Sequence, residues 1–427
     1  MTPAARIAAS IDILSEIARG NAPADAVLVD WFRGHRFAGS GDRRAIRDGV
    51  YRDLRRGALL RWSVAEAGGD ADSPRARTLA DLALERPGDI DSLFSGAGYG
   101  PPALTGEERS VVSAVSDLDP ASAPAWCAGN CPEALYPLFT AQWGAEAATE
   151  LAALNTTAPV DLRVNRLRAT REAARARLLA DGYESDPTPH SPEGLRGSQR
   201  GNFGQLGAYR EGLIEPQDES SQLVARLVDA RPEQRIVDYC AGAGGKVLAL
   251  AAAADNGAEL VACDVSAARL ARMAPRAERL GVENLRTLPV PADGPPGELH
   301  AWADRVLVDA PCSGTGTWRR SPDLRWRTTA ATIEAYAHTQ DELLDRAAIA
   351  VKPGGRLIYA ACSVLDREGR DRVTAFLDRN SDYRRLAVAR ILGDETAAAL
   401  GCNDELVLTP ARHGTDGMYA AILERAS

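Results

Sequence analysis

From Gln217 onward short β-branched runs alternate with helical stretches, and this alternation limits the possible folds more than any other feature of the chain. The runs are RIVDY (235–239), ELVACD (259–264), NLRTLPV (284–290), RVLVDA (305–310) and RLIYAA (356–361), with a closing strand near Met418 to Leu423. Helical patterns begin at Lys246, at Ala267, near Thr328 and near Arg367. Strict alternation predicts a parallel, doubly wound, Rossmann-like α/β sheet with its ligand at the carboxyl ends of the strands. The residues just after each strand are therefore the first place to look for chemistry.

The whole chain has 427 residues, too many for one ordinary domain. Residues 1–132 carry apolar side chains at helical spacing, such as Ile7, Ile11, Leu14 and Ile17, then Ile46, Val50, Leu54 and Leu59. An all-helical domain is expected there, with the Gly-, Ser- and Pro-rich stretch 66–106 connecting its helices. Between 133 and 215 a helix from Pro132 leads into short apolar segments such as VDLRVN and LIEP, which predict a small α/β connecting unit. Residues 216–427 form the third, sheet-bearing part. No apolar run approaches the ~20 residues that span a bilayer, and the start MTPAARIAASIDIL lacks the apolar core and cleavage site of a secretion signal. The expectation is a cytoplasmic protein with no membrane partner. Seven cysteines without paired spacing suit reduced thiols and no metal site.

A formal net charge of -9 does not advertise a nucleic-acid partner, so local clusters must carry that reading. Three stand out: Arg43, Arg44, Arg47, Arg52, Arg55 and Arg56; then Arg163, Arg166, Arg168 and Arg171; then Arg319, Arg320, Arg325 and Arg327. Each is a nucleic-acid surface or a solvated helix face. Among the 50 basic side chains only Lys246 and Lys352 are lysines, and Lys246 sits inside a glycine turn. A compact ammonium at such a spot suits chemistry that a broad guanidinium cannot do.

That turn is YCAGAGGK, directly after the strand ending in Asp238, and its Gly242, Gly244 and Gly245 allow backbone to approach a ligand before a helix N-terminus. The next strand ends in Asp264, about 20 residues beyond the turn, where a carboxylate can accept from a ribose diol. Together they indicate a nucleoside cofactor. The third glycine of a dinucleotide fingerprint is replaced by Val247, which suits S-adenosylmethionine better than a nicotinamide dinucleotide. Asp293, after the third strand, is a candidate adenine contact or a turn-forming Asp before Gly294. Two further strand ends carry cysteine, Cys312 in VLVDAPCSGTG and Cys362 in LIYAACS. Free cysteine is usually an inert small hydrophobe, but two thiols on the ligand edge of one sheet point to function.

Through QDESSQ (217–222), VDYCAGAGGK (237–246), DAPCSGTGTWRRSPDLRW (309–326), KPGGRLIYAACSVLDREG (352–369) and DGMYAAIL (416–423), the chain resembles the Sun/Fmu family of RNA 5-methylcytosine methyltransferases. SGDRRAIRDGVYRDLRR looks like the NusB-like helical domain of the ribosomal RNA members. The resemblance implies a class I methyltransferase sheet over 216–427, a NusB-like RNA-binding domain over 1–132, and methyl transfer from S-adenosylmethionine to carbon 5 of a cytosine, most fittingly in 16S rRNA. It implies Cys362 as nucleophile, Cys312 in release of the product, Asp309 on the amino edge of the base, and Lys246 beside the developing negative charge. The implied cofactor contacts are Cys240, Ala241, Gly242, Gly244, Gly245, Lys246, Asp264, Arg269, Asp293 and Asp309. RNA is the implied partner, not DNA, and a monomer is expected. The chain departs from the family in C-A-G-A-G-G-K for C-A-A-P-G-G-K and in Ala361 where Thr often precedes the nucleophilic Cys. Two rivals remain: a DNA enzyme, in which Cys312 would attack, and a non-catalytic RNA scaffold.

Overall fold

A computed structural model describes every residue except 21, 200, 292 and 293. The chain divides into two compact units, Met1–Thr156 with Trp318–Thr329, and Thr157–Thr317 with Ala330–Ser427.

The first unit is helical. Its long helices are Pro3–Arg19, Ala24–Gly34, Ser40–Glu66, Pro74–Glu85 and Gly106–Ser116, followed by the shorter Tyr136–Trp143 and Ala147–Leu154. Pro3–Arg19 and Pro74–Glu85 each start with proline in the first turn behind a Thr2 or Ser73 cap, and Thr105 opens Gly106–Ser116 with a capping box. Ile13, Leu14, Leu28, Ile46 and Val50 close one core, and Leu60, Val64, Leu79 and Phe94 a second. The expected boundary at 132 differs from this division, because Phe139 and Leu154 pack inside the helical unit. The segment Trp318–Thr329 fills it from far along the chain. The fully buried Trp318 ring lies 5.4 Å from that of Phe139. The Trp326 indole N–H donates to the Leu54 carbonyl (3.0 Å), and a side chain on Gly57 would strike that indole.

The second unit holds two sheets. The small one comprises β1 (Val160–Val164), β2 (Ser185–Pro187), β3 (Gly194–Gly197) and β4 (Ile214–Pro216), ordered β2-β3-β1-β4 and wholly antiparallel. The large one comprises β5 (Arg235–Asp238), β6 (Glu259–Asp264), β7 (Leu285–Pro289), β8 (Ala303–Asp309), β9 (Val351–Ala361), β10 (Tyr383–Leu386), β11 (Glu405–Leu408) and β12 (Met418–Arg425). Its order is β10-β12-β9-β8-β5-β6-β7, with β11 on β12. Period-two alternation splits the strands between two faces: Ile236, Leu260, Leu307 and Ile358 pack on one, Val237, Val261, Val306 and Tyr359 on the other. Helices cover both.

The sheet is mixed and not wholly parallel, as the alternation alone predicted. β12 runs antiparallel to β9, β10 and β11. The stretch between β11 and β12 is too short for a parallel crossover, which takes a dozen or more residues, so β12 must turn back on β11. The two sheets of this unit are tied by charge. Buried Glu215 on β4 pairs with Arg276 (2.8 Å) and Arg279, both on the helical stretch after β6.

Candidate active site

β8 lies between β5 and β9, so the carboxyl ends of these three strands meet where the chain order of the sheet reverses. In an open α/β sheet that point is a crevice.

The turn after β5 runs into helix Val247–Ala253. Gly242 and Gly244 have φ of +55° and +91°, and a Cβ on Gly244 would stand 2.6 Å from Met273, so glycine is required there by both backbone and space. Asp264, 4% exposed at the end of β6, accepts from the Gly242 amide (2.9 Å) and the Ser266 amide (2.8 Å). A carboxylate has about four lone-pair sites, so acceptors remain for two hydroxyls of a ligand. A cavity of about 270 Å³ opens beside it, walled by Tyr239, Cys240, Val265, Val290 and Pro291, with Asp264, Arg269 and Asp309 among its polar groups. An acid at the rim of mostly apolar walls fits a nucleoside with a ribose diol. Of the expected cofactor residues, Cys240, Asp264, Arg269 and Asp309 line this cavity. Ala241, Gly242, Gly244, Gly245 and Lys246 form the turn beside it, and Asp293 lies outside the described residues.

Lys246 and Asp309 meet at 2.5 Å (Nζ to Oδ2). Burial would lower the lysine pKa, but the Asp309 charge and hydrogen bond, with Cys362 and Asp238 behind them, leave it raised. Lys246 is therefore a fixed cation at neutral pH. Behind the pair lies Asp238, fully buried, with Oδ1 unpartnered among the described residues; burial first and then the charge of Asp309 push its pKa up to about 7. The two thiols come together: Cys312 Sγ and Cys362 Sγ are 3.2 Å apart. Cys312 is held well above the usual thiol range, first by its hydrogen bond with Cys362 and then by burial.

Sequence reasoning missed the braces behind these groups. Arg163 of β1, buried, donates to the Gly245 carbonyl (2.8 Å) and to Gln217, whose own amide also reaches Gly245 (3.1 Å). Glu368, just after β9, bonds the residues that follow both cysteines. Gln217 and Glu368 both lie in motifs noted above, but nothing in a motif says which carboxylate turns inward.

The three arginine clusters have three different fates. In the first, Arg52 and Arg56 pair with Asp81, and Arg55 donates to the Asn155, Thr156 and Arg319 carbonyls. Exposed Arg44 and Arg47 form no ion pair among the described residues, whereas Arg43 lies over the Phe32 ring. In the second, Arg163 is interior and Arg166 and Arg168 are exposed. The third is not a surface. Arg325 is fully buried in the helical unit, donating to the Asn130 carbonyl (2.7 Å), Asn155 Oδ1 (3.0 Å) and the Leu154 carbonyl (3.0 Å), and burial lowers its pKa to about 9.

Comparison with known proteins gives this geometry a family. Residues 225–424 match the model described as 16S rRNA methyltransferase RsmB/F, and 131–203 match the ferredoxin-like domain of RsmF/B-like methyltransferases. The chain is 34% identical over 303 residues to the probable ribosomal RNA small subunit methyltransferase B of Synechocystis, covering 69% of this chain and 67% of that protein. It is 35% identical over 297 residues to the ribosomal RNA small subunit methyltransferase B of Pseudomonas syringae, covering 68% and 65%. The matched stretch is thus about two thirds of each relative. The crystal structure of PH0851 shares the fold over 100% of this chain and 99% of its own, at a TM-score of 0.80 and 24% identity.

Proposed function

The chain belongs to the 16S rRNA methyltransferase RsmB/F family, and from that premise we propose that it methylates carbon 5 of a cytosine in small-subunit ribosomal RNA through a covalent adduct on Cys362. The observation that carries this reading is the pair of thiols 3.2 Å apart at adjacent strand ends, with Lys246 and Asp309 beside them. S-adenosylmethionine, held by Asp264 and the glycine turn, supplies an electrophilic methyl group.

Carbon 5 of cytosine is a poor nucleophile, and a thiolate added at carbon 6 makes the ring electron-rich. Cys362 is among the groups that interact with Lys246, the cation of the site. Lys246 then stabilises negative charge on the ring, and Asp309 accepts from the exocyclic amino group. Once carbon 5 carries the methyl group it must lose its proton. The electron pair of that C–H bond re-forms the ring double bond, and the carbon 6–sulfur bond breaks to return Cys362 as thiolate. Cys312, in contact with Cys362, gives its S–H proton to the departing sulfur and, left as thiolate, takes the carbon 5 proton in its place. The base must leave its stack to reach both thiols, and the exposed Arg44 and Arg47, with the 70% exposed Phe37 on a nearby loop, provide a phosphate- and base-contacting surface in the helical unit.

Separate cysteine variants test the reading. Cys362→Ala should abolish methylation and form no adduct, whereas Cys312→Ala should accumulate a protein–RNA complex that survives denaturing electrophoresis. A trapped adduct in the Cys362 variant with none in the Cys312 variant would assign the attack to Cys312 and overturn the mechanism.

A further inference from the structure

One carboxylate at the site has no part in that chemistry. Glu368 is fully buried in the turn Asp366–Glu368 after β9. Its Oε1 accepts from the Ser313 amide (2.7 Å), and its Oε2 from the Ser313 hydroxyl (2.5 Å) and the Ser363 hydroxyl (2.6 Å). Ser313 follows Cys312 and Ser363 follows Cys362, so both cysteine loops hang from one side chain. The loops are also stitched to each other: Thr315 Oγ1 meets Ser363 Oγ at 2.9 Å and accepts from the Val364 amide (3.1 Å). The clamp itself is fixed from behind, where the Tyr359 hydroxyl donates to the Glu368 carbonyl (2.6 Å).

Among the described residues Glu368 makes no ion pair. A buried carboxylate held only by neutral donors is expensive in desolvation, and a neutral side chain of the same shape would cost less for packing alone. The charge therefore calls for a reason beyond stability.

We propose that Glu368 is the positioning residue of the site, locking the two cysteine loops at one separation and placing a carboxylate beside Cys312. This rests on the reading above that the thiols have different jobs. The hydrogen bond from Cys362, then burial, then the charges of Cys362 and Glu368 raise the pKa of Cys312, against a smaller lowering by the Gly314 amide; Cys312 acts in turn on the buried Tyr359 hydroxyl. No cation is among the groups that act on it. Cys312 thus stays a thiol, able to donate its S–H to its partner's sulfur.

The test uses full-length Glu368→Gln, which keeps shape and loses charge, and Glu368→Asp, which keeps charge and loses reach. Three quantities are read: the dissociation constant for S-adenosylmethionine, kcat on rRNA, and the pH midpoint for alkylation of Cys312 by iodoacetamide, followed by peptide mass spectrometry. The expected result for Gln is cofactor binding within about twofold of the parent, kcat lower by about 10- to 100-fold because displaced loops misplace the reacting sulfurs, and a lower Cys312 midpoint. Asp should restore the midpoint toward that of the parent without restoring kcat. If Gln does not fold, Ser313→Ala and Ser363→Ala each remove one donor from the clamp and should lower kcat with cofactor binding intact. A Gln variant with parental kcat overturns the proposal, as does one in which kcat and cofactor affinity fall together with an unmoved Cys312 midpoint. If Cys362→Ala remains active, the reading of the site fails; if Cys362→Ala is dead and Glu368→Gln is normal, only the clamp fails.

Discussion

The two units bring their charged groups together by different means. In the α/β unit Asp264, Asp309, Cys312 and Cys362 stand at or just after the ends of β6, β8 and β9, so neighbouring strands in register deliver them to one edge. In the helical unit the groups that meet come from distant turns and interlock by side chain: Arg77 bonds Asp53 at 3.0 Å in the interior, and Arg325 reaches the carbonyls of Asn130 and Leu154. The backbone therefore holds the chemistry of the α/β unit, and single side chains can be removed without loss of its fold. In the helical unit, buried charged side chains join the apolar cores in holding distant turns together.

The largest expected effect is on stability. Arg325→Ala leaves the buried carbonyls of Asn130 and Leu154 without this donor, at about 1–3 kcal/mol each, offset in part by relief of a buried guanidinium, while Asn155 Oδ1 keeps the Asn130 amide. A net loss on the order of 3 kcal/mol should appear in urea denaturation, while S-adenosylmethionine binding to the folded protein stays as in the parent. An unchanged midpoint would break the contrast between the units. For the same reason, deleting residues 1–130 should destabilise the protein, since it strips partners such as Leu54 and Asn130 from the segment Trp318–Thr329.

The converse change is Asp264→Ala. Charged hydrogen bonds to a ribose diol contribute about 1.5–3 kcal/mol, so calorimetry should show cofactor affinity about 10- to 100-fold weaker, with a smaller fall in melting temperature than for Arg325→Ala because the Gly242 and Ser266 amides it releases are part-exposed. Equal affinity would remove Asp264 from the site, and a large drop in melting temperature would mean that this strand end, too, is structural.

The smallest and most discriminating effect divides one helix. Arg44→Ala and Arg47→Ala should each flatten the dependence of log K for rRNA on log salt by about one unit and leave stability and cofactor binding unchanged. Arg52→Ala, whose partner Asp81 already neutralises it, should leave the salt slope as it is. Equal slopes in all three variants would mean that the free and the paired ends of Ser40–Glu66 are not distinguished by RNA.

How much of this was legible in the linear chain follows from how each group is placed. The strand–turn–helix rhythm, the glycine turn, the acid about 20 residues on and the two strand-end cysteines are local features, because a period-two run bounded by Gly or Pro determines its own conformation and leaves the next residue at the edge. They fixed the sheet-bearing unit and its cofactor edge before any contact was known. The direction of β12 was local in principle too, in the shortness of the link from β11, but only once β11 itself had been recognised. Burial of charge was not local. Arg44 and Arg325 read alike as basic residues in short clusters, yet one faces water and the other is enclosed, because burial depends on partners more than a hundred residues away along the chain. Glu368 is the same case in the active site: its sequence neighbours mark a turn, and only the meeting of two loops 50 residues apart, between Ser313 and Ser363, gives its carboxylate the donors that make a buried charge tenable.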